Sequence, residues 1–180
     1  MRVLSMPALL LAALALTGTA VLLAGQAITS GAIEVRLAEL FPEATSFGPK
    51  EGNPPHFTAW AAGTRAGAKR VAGYAFWTTD LEPLERGYDG PIQILVGIRP
   101  SGLLAGVIVT AHHEPYGYFS VDSPAFEKQF AGKDVRDAFS VGADVDAISR
   151  ATISVTSATR AIRNSARRFA RQLLTPGVVP

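Results

Sequence analysis

The tightest constraint on this chain is a pair of apolar, β-rich runs, Ile92–Ile98 and Leu103–Thr110, separated by Arg99-Pro100-Ser101-Gly102. Proline at the second position of a turn fixes φ near −65°, and glycine at the last accepts the backbone that closes it. The two runs therefore fold back on each other as an antiparallel hairpin. Upstream, Phe57–Ala61 and Val71–Thr78 are also short and rich in β-branched or aromatic residues. Gly63-Thr64-Arg65-Ala66-Gly67 joins them as a second turn. Two hairpins in succession predict an antiparallel sheet.

The flanks have a helical period. Ile33, Leu37 and Leu40 recur at helix spacing before Pro42 and the breaker-rich stretch 47–55, so residues 31–56 read as an amphipathic helix and a loop. After the hairpins, Pro124–Phe130 reads as a short helix, Val145–Ile148 as a short extended piece, and Val155–Leu174 as a long helix. Ala158, Ile162, Phe169 and Leu173 form the apolar stripe of that long helix, and Arg160, Arg163, Arg167, Arg168 and Arg171 occupy its other face, read as solvated. Helices before and after a run of strands predict an α+β domain, an antiparallel sheet of hairpins packed on one side by helices.

The N-terminus reads as a targeting segment. Met1 and Arg2 precede an apolar run from Val3 to about Ile28, close to the roughly 20 residues that cross a bilayer core. It is expected to be a cleaved signal peptide, with small residues near Ala24 and Ala27, or an uncleaved anchor; a buried soluble helix is the plainer alternative. The first two place the rest of the chain in the periplasm, secreted or anchored to the inner membrane. The expected organisation is residues 1–29 as signal or anchor, 30–56 as helix and linker, and 57–176 as the functional domain.

Composition removes several chemistries. There is no cysteine, which excludes disulfides, zinc-thiolate sites, cysteine-bound iron–sulfur clusters and cysteine nucleophiles. The formal net charge is only +2, and Arg150, Arg160, Arg163, Arg167, Arg168 and Arg171 crowd near the C-terminus, a poor match to a nucleic-acid backbone. No nucleic-acid partner is expected. His112, His113 and Glu114 are adjacent on a predicted strand, where neighbours point to opposite faces, so no metal site is expected from them.

The segment Asp146-Ala147-Ile148-Ser149-Arg150-Ala151-Thr152-Ile153-Ser154 stands just ahead of the long helix. A helix start offers unpaired amides and the positive end of the dipole, and Arg150 adds a charge, so a phosphate suits this place. The plain alternative is that Ser154, Thr156 or Ser157 caps the helix and nothing binds.

Asp146-x-x-Ser149-x-Ala151-Thr152 resembles the flavinylation motif Asp-x-x-Ser/Thr-Gly-Ala-Thr of the FMN-binding domain family. That family includes the peripheral subunits of the Rnf complex and of the sodium-translocating NADH:quinone reductase. Two further blocks resemble it: Gly87-Tyr88-Asp89-Gly90, and the hairpin running into His112-His113-Glu114-Pro115-Tyr116-Gly117. The resemblance spans about residues 70 to 174. Val71–Asp80 and the Glu-Pro pair look closer to the N-terminal domain of NosR, the nitrous-oxide reductase accessory protein. That protein continues into transmembrane helices and cysteine-rich iron–sulfur motifs; beyond the apolar N-terminal run this sequence shows neither, so it reads as a free-standing relative or a partial sequence, and donor and acceptor stay open.

The resemblance implies FMN phosphoester-linked to Thr152, attached by a flavin transferase that uses FAD and Mg²⁺. It implies that Asp146, Ser149, Arg150 and Ala151 form the recognition and phosphate environment. Glu114 and the Pro115–Tyr118 turn are expected at the rim, touching the isoalloxazine or its ribityl chain, with Tyr116 or Tyr118 as the aromatic in contact; Tyr74, Phe76 and Trp77 are expected mostly in the core. The implied role is electron transfer with redox partner proteins, with nitrous-oxide reduction as the process it would serve and no substrate of its own. The alternative from another class is a flavin-free binding or regulatory module of the same fold. Arg150 stands where the family pattern has glycine, so either the turn is built differently or the modifying enzyme accepts a bulkier residue.

Overall fold

The computed structural model describes residues 31–174. The expected signal or anchor segment lies outside the described residues. Among the described residues, no helix is long and apolar enough to cross a membrane. The chain divides after Arg36. Helix α1 (residues 31–40) therefore contributes only its last turn to the unit that runs on from Leu37.

Five strands follow one another as a meander: β1 (Ser46–Phe47), β2 (Phe57–Ala62), β3 (Lys69–Trp77), β4 (Gln93–Ile98) and β5 (Leu104–Ala111). Every neighbouring pair is antiparallel. The β4–β5 hairpin closes as its turn chemistry requires. Gly102 sits at φ +89°, its N–H donates to the Arg99 carbonyl at 2.9 Å, and the Arg99 N–H donates to Leu103 at 2.8 Å. The fold is α+β.

The register sorts side chains onto two faces. Tyr74 pairs with Ile98 and Phe76 with Val96, and Val96 with Val107. These residues share one face with Ile94 and Val109, and the long helix α4 (Thr152–Leu173) covers them. Val155, Ala158, Ile162, Ala166 and Phe169 of α4 are buried in the same cluster. Phe169 is fully buried; it stacks on Phe76 with ring centroids 4.5 Å apart and also meets Tyr74 and His56. Burying one such ring contributes roughly 1.5–3 kcal/mol.

The opposite face is a shallow trough of small residues. A Cβ at Gly73 would lie 2.2 Å from the Phe41 ring, and one at Gly97 would crowd Phe41 and Leu40. Leu37, Leu40 and Phe41 are buried there. The sheet is thus covered on both faces, whereas the pattern of hairpins and helices predicted cover on one. Glycine reads as a turn former in sequence, so a stripe of glycines that seats an aromatic ring is hard to see.

Other boundaries shift for local reasons. The predicted strand Val71–Thr78 ends at Trp77, because Thr78 opens the single-turn helix α2 (Thr78–Leu81). The Thr78 hydroxyl donates to the Ile92 carbonyl at 3.3 Å and accepts from the Ile94 N–H at 3.1 Å, fixing α2 to the start of β4. Pro124–Phe130 splits into α3 (Pro124–Glu127) and a 3-10 turn, Lys128–Phe130. Val145–Ile148 is not a strand; only Val145 forms a bridge, with Val141. The Asp144 carboxylate organises that loop instead, accepting from the Phe139 N–H and Lys133.

Candidate functional site

Three segments distant in sequence meet at the N-terminal end of α4. The first is the irregular stretch between α2 and β4, laid along α4 by the arginines that the sequence pattern assigned to a solvated face. Arg168 donates to the Leu81 carbonyl at 2.6 Å and pairs with Glu82 at 3.1 Å. Arg160 grips both oxygens of Glu85 at 2.8 and 2.6 Å, and the Ser157 hydroxyl donates to the Arg86 carbonyl at 2.6 Å. Arg167 similarly holds the Val135 and Asp137 carbonyls. Three of the five arginines are therefore structural ties. The Glu85 carboxyl titrates below its ordinary range because Arg160 bonds it, an effect that outweighs its partial burial and that Ser157 reinforces.

The second segment is the exit from β5. Glu114 is buried, and its carboxylate accepts three hydrogen bonds: from the Tyr88 N–H at 3.0 Å, from the Asp89 N–H at 3.0 Å, and from the Ser154 hydroxyl. Burial alone pushes a carboxyl up in pKa. Here the Ser154 hydroxyl and the two amides outweigh burial, and the group is held below its ordinary value as the anion. Gly87 makes this seat available, since a Cβ there would sit 2.3 Å from the carboxylate. Beyond Glu114 the chain turns back through a 3-10 turn, Gly117–Phe119.

The third segment is the start of α4. The helix begins at Thr152, three residues before the expected Val155, so Thr152 is its first residue and not a loop residue ahead of it. Ala151 is the cap position and supplies no side-chain cap. The alternative in which Ser154, Thr156 or Ser157 caps the helix is not realised. Ser154 turns to Glu114 and Ser157 to Glu85 and Arg86. The amides of Thr152, Ile153 and Ser154 have no carbonyl one turn back to accept them, and they lie at the positive end of the helix dipole. Arg150 is in the left-handed region at φ +67°. The turn thus has the backbone that a glycine adopts freely, built here with arginine.

These segments enclose a cleft of ≈ 540 Å³. Tyr88 lines it from the first, Pro115 and Tyr116 from the second, and residues 150–154 from the third. Tyr88 is 68% exposed and Tyr116 49%, so each offers free ring surface. Thr152 is exposed at the cleft. Arg150, also exposed, makes no ion pair or hydrogen bond among the described residues.

Five of the residues singled out from the sequence therefore come together in the cleft: Thr152, Ala151, Arg150, Pro115 and Tyr116. Four stand elsewhere, among them Tyr118, which is exposed and does not line the cleft. Ser149 is exposed and is not among the described residues that line the cleft. Asp146 is exposed, and its N–H donates to the Gln129 side chain at 2.7 Å. Glu114 lies behind the wall with its oxygens committed to protein donors. Tyr74 and Phe76 are in the core against Phe169. Sequence reasoning missed Tyr88 and Ile153 as lining residues. The glycines at 87 and 90 marked the Tyr88 turn, but nothing local shows which way a turn faces. Among the described residues, no group of three or more His, Asp or Glu side chains could hold a metal ion.

Residues 87–167 match the model of the FMN-binding domain. No curated protein matches the chain. FMN requires apolar surface for a flat ring, room for a chain of hydroxyls, and a place for a phosphate dianion. The cleft meets all three. Its volume falls in the range of small-molecule sites, roughly 300–1,000 Å³. Tyr88, Pro115, Tyr116 and Ile153 supply apolar surface. The uncapped amides of α4 and the Arg150 guanidinium, unpaired among the described residues, suit an anion at this end of the cleft. All three walls of the cleft lie within residues 87–167, the stretch that is similar to the FMN-binding domain family.

Proposed function

We propose that the chain is an electron-transfer flavoprotein that carries FMN as a phosphoester on Thr152. The observation that carries this reading is the position of Thr152. It is the first residue of an uncapped helix, exposed, with Arg150 and the free amides of α4 beside it in the cleft. A hydroxyl there sits where a phosphate is most stabilised. When bound, FMN supplies the electron-carrying chemistry of its ring. The chain binds and orients: Arg150 and the amides of residues 152–154 hold the phosphate, and Tyr88, Pro115, Tyr116 and Ile153 cover the ring. No side chain is required as a general acid or base.

A flavin transferase is the proposed modifying partner. Asp146 and Ser149, both exposed and outside the cleft wall, are accessible for it to read. Arg150 does not block the motif's turn, because it adopts the left-handed backbone where glycine is at ease. The apolar run before residue 29 supports a place outside the cytoplasm, exported or anchored to the inner membrane. Redox partner proteins there exchange electrons with it, and the Val71–Asp80 and Glu114-Pro115 resemblances favour nitrous-oxide reduction as the process served.

Protein coexpressed with the transferase should keep its yellow colour through denaturation and gel filtration, and Thr152→Val should lose it. Wild-type protein that remains colourless under these conditions refutes covalent attachment and favours the flavin-free module, for which the arginine in place of glycine is the supporting observation.

A further inference from the structure

The cleft has three walls and one side chain common to all of them. Glu114 immediately precedes the Pro115–Tyr116 wall, accepts the Tyr88 and Asp89 amides of the wall that Tyr88 lines, and accepts the Ser154 hydroxyl from the first turn of α4. We propose that Glu114 is the positioning residue of the cofactor cleft: its carboxylate locks the 87–90 loop to the start of α4 before any ligand arrives. This rests on the FMN reading of the cleft.

The bonding pattern requires a carboxylate at this place. Oε1 receives the Asp89 N–H; Oε2 receives the Tyr88 N–H and the Ser154 hydroxyl. A glutamine of the same shape has one oxygen, so its amide group must face one of the two backbone donors and leave that N–H without an acceptor. The pocket admits no rearrangement on the loop side, because Gly87 is packed against the carboxylate so closely that even a methyl group would overlap it. The loop cannot satisfy its own donors either. Its one internal bond runs from the Gly87 N–H to the Gly90 carbonyl at 2.7 Å, leaving the intervening amides to Glu114. The same charge lies one residue behind the cleft wall, where a buried anion opposes added electron density on any ring bound in front of it.

The test uses Glu114→Gln and Ser154→Ala in the full chain, first without cofactor. Native-state amide exchange at whichever of Tyr88 and Asp89 loses its acceptor should accelerate about tenfold or more in Glu114→Gln relative to wild type, the cost of an unmet buried donor. Unchanged exchange at both amides in a folded Glu114→Gln protein overturns the proposal. FMN is then added and binding followed by quenching of its fluorescence. Glu114→Gln should bind about tenfold more weakly, and the FMN it holds should have a higher midpoint potential. Ser154→Ala, which keeps the charge, should weaken binding several-fold and leave the potential in place. If Glu114→Gln does not fold, Ser154→Ala decides: wild-type FMN affinity in that variant overturns the proposal. Failure of wild-type protein to bind FMN refutes the cofactor reading instead, and the exchange rates at Tyr88 and Asp89 still decide the lock.

Discussion

Arg150→Gly should make the protein more stable and a weaker FMN binder at once. A non-glycine residue in the left-handed region costs roughly 1–2 kcal/mol, and Arg150 sits there at φ +67°. Glycine removes that strain but adds freedom to the unfolded chain, worth about 0.4–1 kcal/mol in the opposite direction. The net gain spans about 0–1.6 kcal/mol and centres near about 0.8 kcal/mol, a rise of roughly 2–3 °C in Tm for a domain of this size. Arg150→Ala is the control. It keeps the strained backbone, and because the side chain is exposed and unpaired among the described residues, its stability should stay within about 0.5 kcal/mol of wild type. Both variants lose the guanidinium beside the start of α4, so FMN affinity in the cofactor-free protein should fall several-fold in each. Riboflavin, which lacks the phosphate, should bind all three proteins equally. Differential scanning calorimetry with parallel fluorescence titrations reads both effects. If Arg150→Gly melts no higher than Arg150→Ala, the turn is not strained as described. If both variants bind FMN as tightly as wild type, Arg150 is not a phosphate ligand.

Three other outcomes follow from the packing and charges described. The Glu85 carboxyl is held below its ordinary range by Arg160, so the unfolded chain binds its proton more readily than the folded one. The stability it confers is complete above the unfolded value of about 4.3 and is lost as pH falls through the folded value; urea midpoints from pH 7 to pH 3 should converge for wild type and Glu85→Gln at the acid end. Phe169→Ala removes a fully buried ring between Phe76, Tyr74 and His56 and should cost about 3–5 kcal/mol in chemical denaturation, with Ile162→Val, in the same core, losing far less. Gly87→Ala places a Cβ 2.3 Å from the Glu114 carboxylate and should cost about 1–3 kcal/mol while disturbing the Tyr88 and Asp89 amide resonances more than those of β2. An unshifted Tyr88 amide in that variant contradicts the seat described for the carboxylate.

The sheet was legible in the sequence because turn chemistry and β-rich runs coincide: Pro100 and Gly102 fix the β4–β5 hairpin locally, and the other strands follow its register. The motif was legible too, and Thr152, Ala151 and Arg150 do share a cleft with Tyr116. What sequence concealed depends on direction. Glu114 looked like a rim residue because it stands beside Pro115 and Tyr116, but a carboxylate with three protein donors turns inward, and those donors come from residues 88, 89 and 154. Arg160 and Arg168 are solvent-exposed, as the helical wheel places them, but a wheel cannot show that the 82–92 stretch runs along that face and takes their guanidinium groups as ties. Helix α4 starts earlier than its apolar stripe, because Ser154 and Ser157 are held by tertiary bonds that override the poor helix propensity of Thr152, Ile153, Val155 and Thr156.

Intact mass spectrometry of denatured protein, purified after coexpression with a flavin transferase, examines the ester at Thr152 most directly. Wild type should be heavier than its polypeptide by one FMN less one water, with the added mass confined to the peptide containing Thr152, and Thr152→Val should show the bare polypeptide. An unmodified wild-type mass, or an adduct that persists in Thr152→Val, contradicts attachment at this hydroxyl.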